Sequence, residues 1–201
     1  DREQPMKLDI RFSSRPLEDL WSQAVVGLVF KMPDIASRAL AGLNKKMIGT
    51  LHELFFSGKW TGDRGEKLLI ATQNMIRSDK LFLYGLGPIN EFSESMLDDE
   101  IRNVARSLDK ICIRDFGIHI PVVKGLERKY PFILESALIK IAEELLCKHQ
   151  NDPDYFLKII VFMEDLYLDM AGCIIERLRK YFSPDLIFSI IIDSRPKEIA
   201  A

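Results

Sequence analysis

Polar and apolar residues alternate over Lys7–Phe12 (KLDIRF), the two-residue period of a half-buried strand. Residues 24–30 (AVVGLVF) are instead a continuous β-branched run, which predicts a central strand covered on both faces and ended by Pro33 and Asp34. From Ile35 to Phe56 the period becomes helical, with Leu40, Leu43, Met47, Ile48, Leu51, Leu54 and Phe55 in step. Gly42 and Gly49 weaken that pattern and predict one broken helix or two short ones. Residues 57–65 (SGKWTGDRG) hold three glycines and predict a loop or hairpin. Strands follow over Glu66–Thr72 and Lys80–Tyr84, separated by the polar turn 74–79.

The apolar run ending at Tyr84 stops at Gly85, Leu86 and Gly87, which predict a tight turn, and a helix opens after Asn90. Ser93 is its expected N-cap, and Leu97, Ile101, Val104, Ala105 and Leu108 form its buried stripe. Residues 111–116 predict a strand, and Pro131 sits where a long helix begins, its missing N–H costing nothing in the first turn. Leu134, Ala137, Leu138, Ile141, Ala142 and Leu145 give that helix its stripe. After the turn 151–154 (NDPD) come a strand over Lys158–Met163, a helix over Asp165–Phe182 and a strand over Leu186–Ile192. Alternating strands and helices predict an α/β fold, three layers α/β/α around a mixed, mainly parallel sheet. Residues 7–193 make one domain in this reading, with 1–6 a leading tail in which Met6 is a candidate native start, and 194–201 a polar tail.

Composition narrows the partners. Hydrophobic content of 47% with 29% charged residues is that of a folded globular chain, and a net charge of -2 supplies no field for nucleic acid or an anionic membrane. Cys112, Cys147 and Cys173 lie far apart in apolar patterns, where thiols are expected as small core residues in a reducing, cytoplasmic setting. No run approaches the ~20 apolar residues of a membrane span.

Chemistry is sparse. His52 and Glu53 begin a His-Glu-x-x-His search, but Phe56 stands where the second histidine would be, so a helix-surface role is expected. His119 and His149 have no Cys or His at ligand spacing and are expected to be structural. Glu164, Asp165 and Asp169 follow a strand, where open α/β sheets bind ligands; acids at a helix N-terminus are also expected from the dipole alone. Gly85 and Gly87 sit where backbone amides attract phosphate, yet Pro88 removes a donor and Glu91 and Glu94 repel anions, so the glycines are expected to serve the turn. The loop of Gly58, Trp60, Gly62 and Gly65, with Lys59 and Arg64, is a candidate contact surface around an exposed-looking tryptophan. Lys124, Arg128 and Lys129 read as a solvated helix entrance. No metal or cofactor is expected.

Two stretches, 48–70 and 81–108, resemble the N-terminal domain of the leucyl aminopeptidase family, peptidase family M17. The resemblance is carried by a helix of leucines and small residues, then Gly58, Trp60, Gly62, Gly65 and Glu66 leading into KLLI, then Gly85-Leu86-Gly87, and Phe92 with Ser93 before a helix. It covers residues 7–123 well and implies a fold similar to macro domains. In that family the chemistry belongs to a second, C-terminal domain with two metal ions and an Asn-Thr-Asp-Ala-Glu-Gly-Arg stretch. That stretch is absent here, and the chain ends where the second domain is expected, so no catalytic residue is carried over. The resemblance implies a non-catalytic, stand-alone relative acting through protein contacts or self-association. The alternatives are a macro-like module for ADP-ribose or a related nucleotide, and a fragment of a longer metallo-aminopeptidase.

Overall fold

The computed structural model describes residues 7–31, 38–152, 154–182 and 187–193. Its seven strands are β1 (Lys7–Ser13), β2 (Ala24–Phe30), β3 (Lys67–Ala71), β4 (Lys80–Gly87), β5 (Asp115–His119), β6 (Phe156–Phe162) and β7 (Ile187–Asp193). They form one sheet in the order β3-β4-β2-β5-β6-β1-β7. Only the β3–β4 pair is antiparallel; the other five pairings are parallel. The helices are α1 (Arg38–Lys46), α2 (Thr50–Phe56), α3 (Glu94–Lys110), α4 (Tyr130–Lys148), α5 (Asp165–Leu168) and α6 (Ala171–Phe182). None of the described helices is long and apolar enough to cross a membrane.

Parallel crossovers place helices on the sheet faces, and the two faces are filled unequally. On one, α3, α4 and α6 pack their stripes on Leu8, Ile10, Phe12, Val26, Leu28, Phe116, Ile118, Ile159 and Val161. On the other, Leu43, Met47, Leu51 and Phe55 of α1 and α2 meet Val25, Val29, Leu81 and Leu83. β2 is therefore covered on both sides, and every one of its residues is buried.

The helix boundaries have local causes. Gly49 adopts a positive φ of 77° and breaks the predicted 35–56 helix into α1 and α2. Ser93 Oγ accepts from the Met96 N–H at 3.1 Å, capping α3. Pro131 lies in the first turn of α4.

Four expectations need correction. Residues 111–113 are not strand: the amides of Cys112 and Ile113 return to the Asp109 and Leu108 carbonyls at 2.9 and 3.0 Å, terminating α3, with Cys112 at a φ of 55°. β5 starts only at Asp115. β4 runs on through Gly85 to Gly87, so the glycines belong to a strand end and not to a turn. The helix expected over 165–182 is split, with Met170 N–H bonding back to Tyr167 O at 3.0 Å between α5 and α6. All three cysteines are exposed, Cys147 and Cys173 because they fall off the buried stripes of α4 and α6 and Cys112 because it lies in the turn that ends α3. The strand end at Pro33 and Asp34, the helix start at Ile35, Pro153, Leu186 and the tails 1–6 and 194–201 lie outside the described residues.

Candidate functional site

The glycine loop and the end of β4 form one knot of backbone hydrogen bonds. Glu66 Oε2 accepts from the N–H groups of Thr61 and Gly62 at 2.9 Å each, from Asp63 N–H at 3.2 Å and from the Thr61 hydroxyl at 3.0 Å. Gly85 N–H donates to Glu66 O at 2.8 Å, Gly65 N–H to Gly85 O at 2.9 Å and Gly87 N–H to Gly62 O at 2.9 Å. Lys31 N–H closes the set on Gly87 O at 2.9 Å.

The glycines are needed for this approach. A Cβ on Gly85 would sit 2.1 Å from Asp63 O, and Gly62, at a φ of 78°, would place one 3.0 Å from Phe30 O. Gly58, whose N–H bonds to Phe55 O at 3.1 Å, also has a positive φ, as do Gly65 and Gly87. A phosphate cradle depends on unspent amides converging on the ligand. Here Gly58, Gly62, Gly65, Gly85 and Gly87 all spend theirs within the chain. Two nearby cations are likewise engaged, Lys31 with Asp63 at 2.6 Å and Arg64 with Glu91 at 2.8 Å.

Trp60 is not the exposed contact residue expected from its polar neighbours. It is 2% exposed, its ring 5.0 Å from that of Phe55, and it plugs the core between the loop and α2. The loop is thereby tied to the domain at both ends.

Elsewhere the titratable groups stand apart. His119, at the C-terminal end of β5, is 6% exposed, and burial pushes its imidazole down to about 4. Its ring lies 5.4 Å from that of Phe162, and it makes no side-chain hydrogen bond among the described residues. His149 caps the end of α4 and pairs with Asp109 at 2.7 Å, and His52 stacks on Phe56 at the surface. Asp165 and Asp169 are exposed at the two ends of the short α5, with Glu164 half-buried beside it. No group of three His, Cys, Asp or Glu residues able to hold a metal ion occurs among the described residues. The basic entrance to α4 is solvated as expected, with Lys129 reaching Glu94 at 2.8 Å.

One polar arrangement was not foreseen. The parallel registers place Asp115, Lys158, Asp9 and Ser189 in a row across β5, β6, β1 and β7 on the less covered face. Arg11 Nε donates to Asp9 Oδ2 at 3.0 Å and Lys158 Nζ to Asp115 Oδ2 at 3.3 Å. Burial holds the Asp115 carboxyl above its ordinary range, although Lys158 and Arg11 pull the other way. The alternation in KLDIRF was the available signal, but its polar positions acquire meaning only from the neighbouring strands.

A profile of the cytosol aminopeptidase family, N-terminal domain, matches residues 25–145, a span that contains the whole glycine knot. The chain belongs to this family. A probable cytosol aminopeptidase from Gloeothece citriformis is 27% identical over 146 residues, which cover 72% of this chain and 30% of the relative. Among solved structures, a mutant of tomato leucine aminopeptidase superposes with a TM-score of 0.57 at 12% identity, covering 82% of this chain and 34% of that one. This member thus spans about a third of the length of these relatives. A Trypanosoma brucei macrodomain in complex with ADP-ribose superposes with a TM-score of 0.60 at 18% identity, covering 82% of this chain and 68% of that one. The fold of this family member is therefore macrodomain-like, a three-layer α/β/α arrangement.

Proposed function

We propose that this chain works as a non-catalytic, protein-contacting member of the cytosol aminopeptidase family, in the cytosolic setting that the family's name gives its relatives. The observation that carries this reading is the half-covered sheet. The apolar cluster under α1 and α2 takes in β4, β2 and, through Ile160 and Phe162, the end of β6, but among the described residues it includes nothing from β1 or β7. Beyond it Phe156, Ile187 and Ile191 are 44%, 54% and 41% exposed, around the polar row of Asp9, Lys158 and Ser189. Exposed apolar residues clustered on one part of a surface mark a protein-contact site. The glycine knot supports the same reading from the other side, since its spent amides leave no anion cradle.

A second reading rests on the fold shared with the ADP-ribose-bound macrodomain: a module for ADP-ribose or a related nucleotide. A third is that these residues serve a longer metallo-aminopeptidase, whose N-terminal domain the profile describes. Two assays on the purified chain separate the readings. In a thermal-shift panel, ADP-ribose at 100 times its dissociation constant adds about 2.7 kcal/mol, which raises Tm by roughly 5 to 10 °C at this size. Leucyl-amide hydrolysis is followed with and without added divalent metal. The contact reading expects no shift and no turnover; a clear ADP-ribose shift, or metal-dependent turnover, overturns it.

A further inference from the structure

Among the described residues nothing pairs with the outer edge of β7, and the hydrogen bonds of β1 show which of its groups face outward. Lys7 N–H donates to Tyr155 O at 3.4 Å and Met163 N–H to Ser13 O at 2.9 Å, so the odd-numbered backbone groups of β1 point toward β6. Its even-numbered groups then point toward β7. With Ile10 opposite Ile190, parallel pairing turns the odd-numbered groups of β7 inward and those of Phe188, Ile190 and Ile192 outward. An unpaired row of this kind is a template for another strand unless lysine, proline or a bulge interrupts it. The stretch IFSIII contains none of these. What meets the edge is Arg179 of α6, whose Nη2 donates to Ile190 O at 3.1 Å.

We propose that β7 pairs antiparallel with β7 of a second copy of this chain, about a two-fold axis at Ser189, and that Arg179 releases Ile190 O when it does. The proposal rests on the protein-contact reading above and names its partner. In an isologous pair, facing residues must lie on the same sheet face, so the axis passes through a residue. Centred on Ser189, the pairing sets Ile187 against Ile191 of the second copy on the open face and Phe188 against its Ile190 on the helical face. Centred one residue further on, it sets Ile187 against the carboxylate of Asp193. The first register is self-complementary and the second is not.

The backbone agrees with that choice. Phe188 and Ile190 carry outward N–H and C=O groups, and in this register they exchange both across the axis. The Ser189 hydroxyl, which has no hydrogen-bond partner among the described residues, meets its own counterpart there. Arg179 competes with the second copy for the Ile190 carbonyl and so sets how readily the edge opens.

Sedimentation equilibrium of the full 201-residue chain, from low to high micromolar concentration, tests this. A reversible dimer is expected. Ser189→Lys brings two ammonium groups together at the axis and is expected to raise the dissociation constant at least about ten-fold, or ~1.4 kcal/mol. Arg179→Ala removes the competitor and is expected to tighten the dimer. Ser189 is exposed, so the lysine variant keeps its fold, checked by circular dichroism. A chain that stays monomeric throughout, or a dimer indifferent to Ser189→Lys, overturns self-pairing and leaves the protein-contact reading intact. That reading is overturned separately, by an ADP-ribose shift or metal-dependent turnover.

Discussion

Gly85→Ala is the sharpest test of the glycine knot. The added Cβ falls 2.1 Å from Asp63 O, 2.7 Å from Gly62 C and 2.8 Å from Gly62 O, all backbone atoms that cannot rotate away. Forcing atoms into a packed site costs about 1 to 3 kcal/mol where side chains can yield, and here the loop itself must move. Moving it strains the bonds Gly85 N–H to Glu66 O and Gly65 N–H to Gly85 O, each worth about 1 kcal/mol. The sum is a loss of about 3 to 5 kcal/mol, a large share of the roughly 5 to 15 kcal/mol that holds an ordinary domain together. Urea denaturation followed by circular dichroism measures it, with the slope compared between variants to confirm that the midpoint shift is one of stability. At roughly 2 to 4 °C per kcal/mol, Tm should fall by about 10 °C. A variant within about 0.5 kcal/mol of the parent would show that the knot is not a structural requirement, and the whole account of these glycines would fail with it.

Gly172→Ala is the matching control: no atom lies within 4 Å of its Cβ position, it sits in α6 and its φ is not positive, so a gain of about 0.5 to 1 kcal/mol is expected in the same assay. Tyr84→Phe removes the hydroxyl that donates to Glu100 Oε2 inside the core; with only Asn103 remaining at 3.4 Å, a loss of about 1 to 3 kcal/mol is expected, and an unchanged denaturation midpoint would contradict it. His119 governs the acid limb. Its folded value of about 4 lies below the ordinary 6.5, so between those values the unfolded chain binds the extra proton and stability falls as pH drops. About 3 kcal/mol of stability present above pH ~6.5 is lost by pH ~4, and His119→Phe should flatten that part of the profile; parallel profiles for the two proteins would refute the assignment.

How much of this was legible in the sequence depended on whether the cause was local. Ser93 caps α3 through a bond to a residue three positions away, and the stripe from Leu134 to Leu145 follows from one helical period, so both could be read directly. β2 could be placed at the sheet centre because AVVGLVF lacks a polar face. Gly85 to Gly87 misled because glycine usually punctuates; here it extends a strand so that a loop twenty residues earlier can lie against it. Trp60 misled for a related reason. Its polar neighbours suggested solvent, while its burial is decided by Phe55 and the underside of α2. The row of Asp9, Lys158 and Asp115 was out of reach, since it exists only once β1 has been placed beside β6.

The residues that carry the family resemblance are therefore those that hold the fold, and this limits what they can say about function. Gly62 and Gly85 are fixed by contacts of their own backbone with Phe30 O and Asp63 O, Trp60 by the core, and Glu66 by the amides it gathers. A chain could keep every one of them while losing or gaining any activity. Function has to be sought where the fold does not explain the residue. Exposed isoleucines on an edge that no described strand pairs are such a place, because water alone does not favour Ile187 or Ile191 at the surface. Arg179 on Ile190 O is another: it spends a guanidinium on a backbone carbonyl that a neighbouring strand would otherwise claim. The two features together are what the proposed pairing of β7 with a second copy would use.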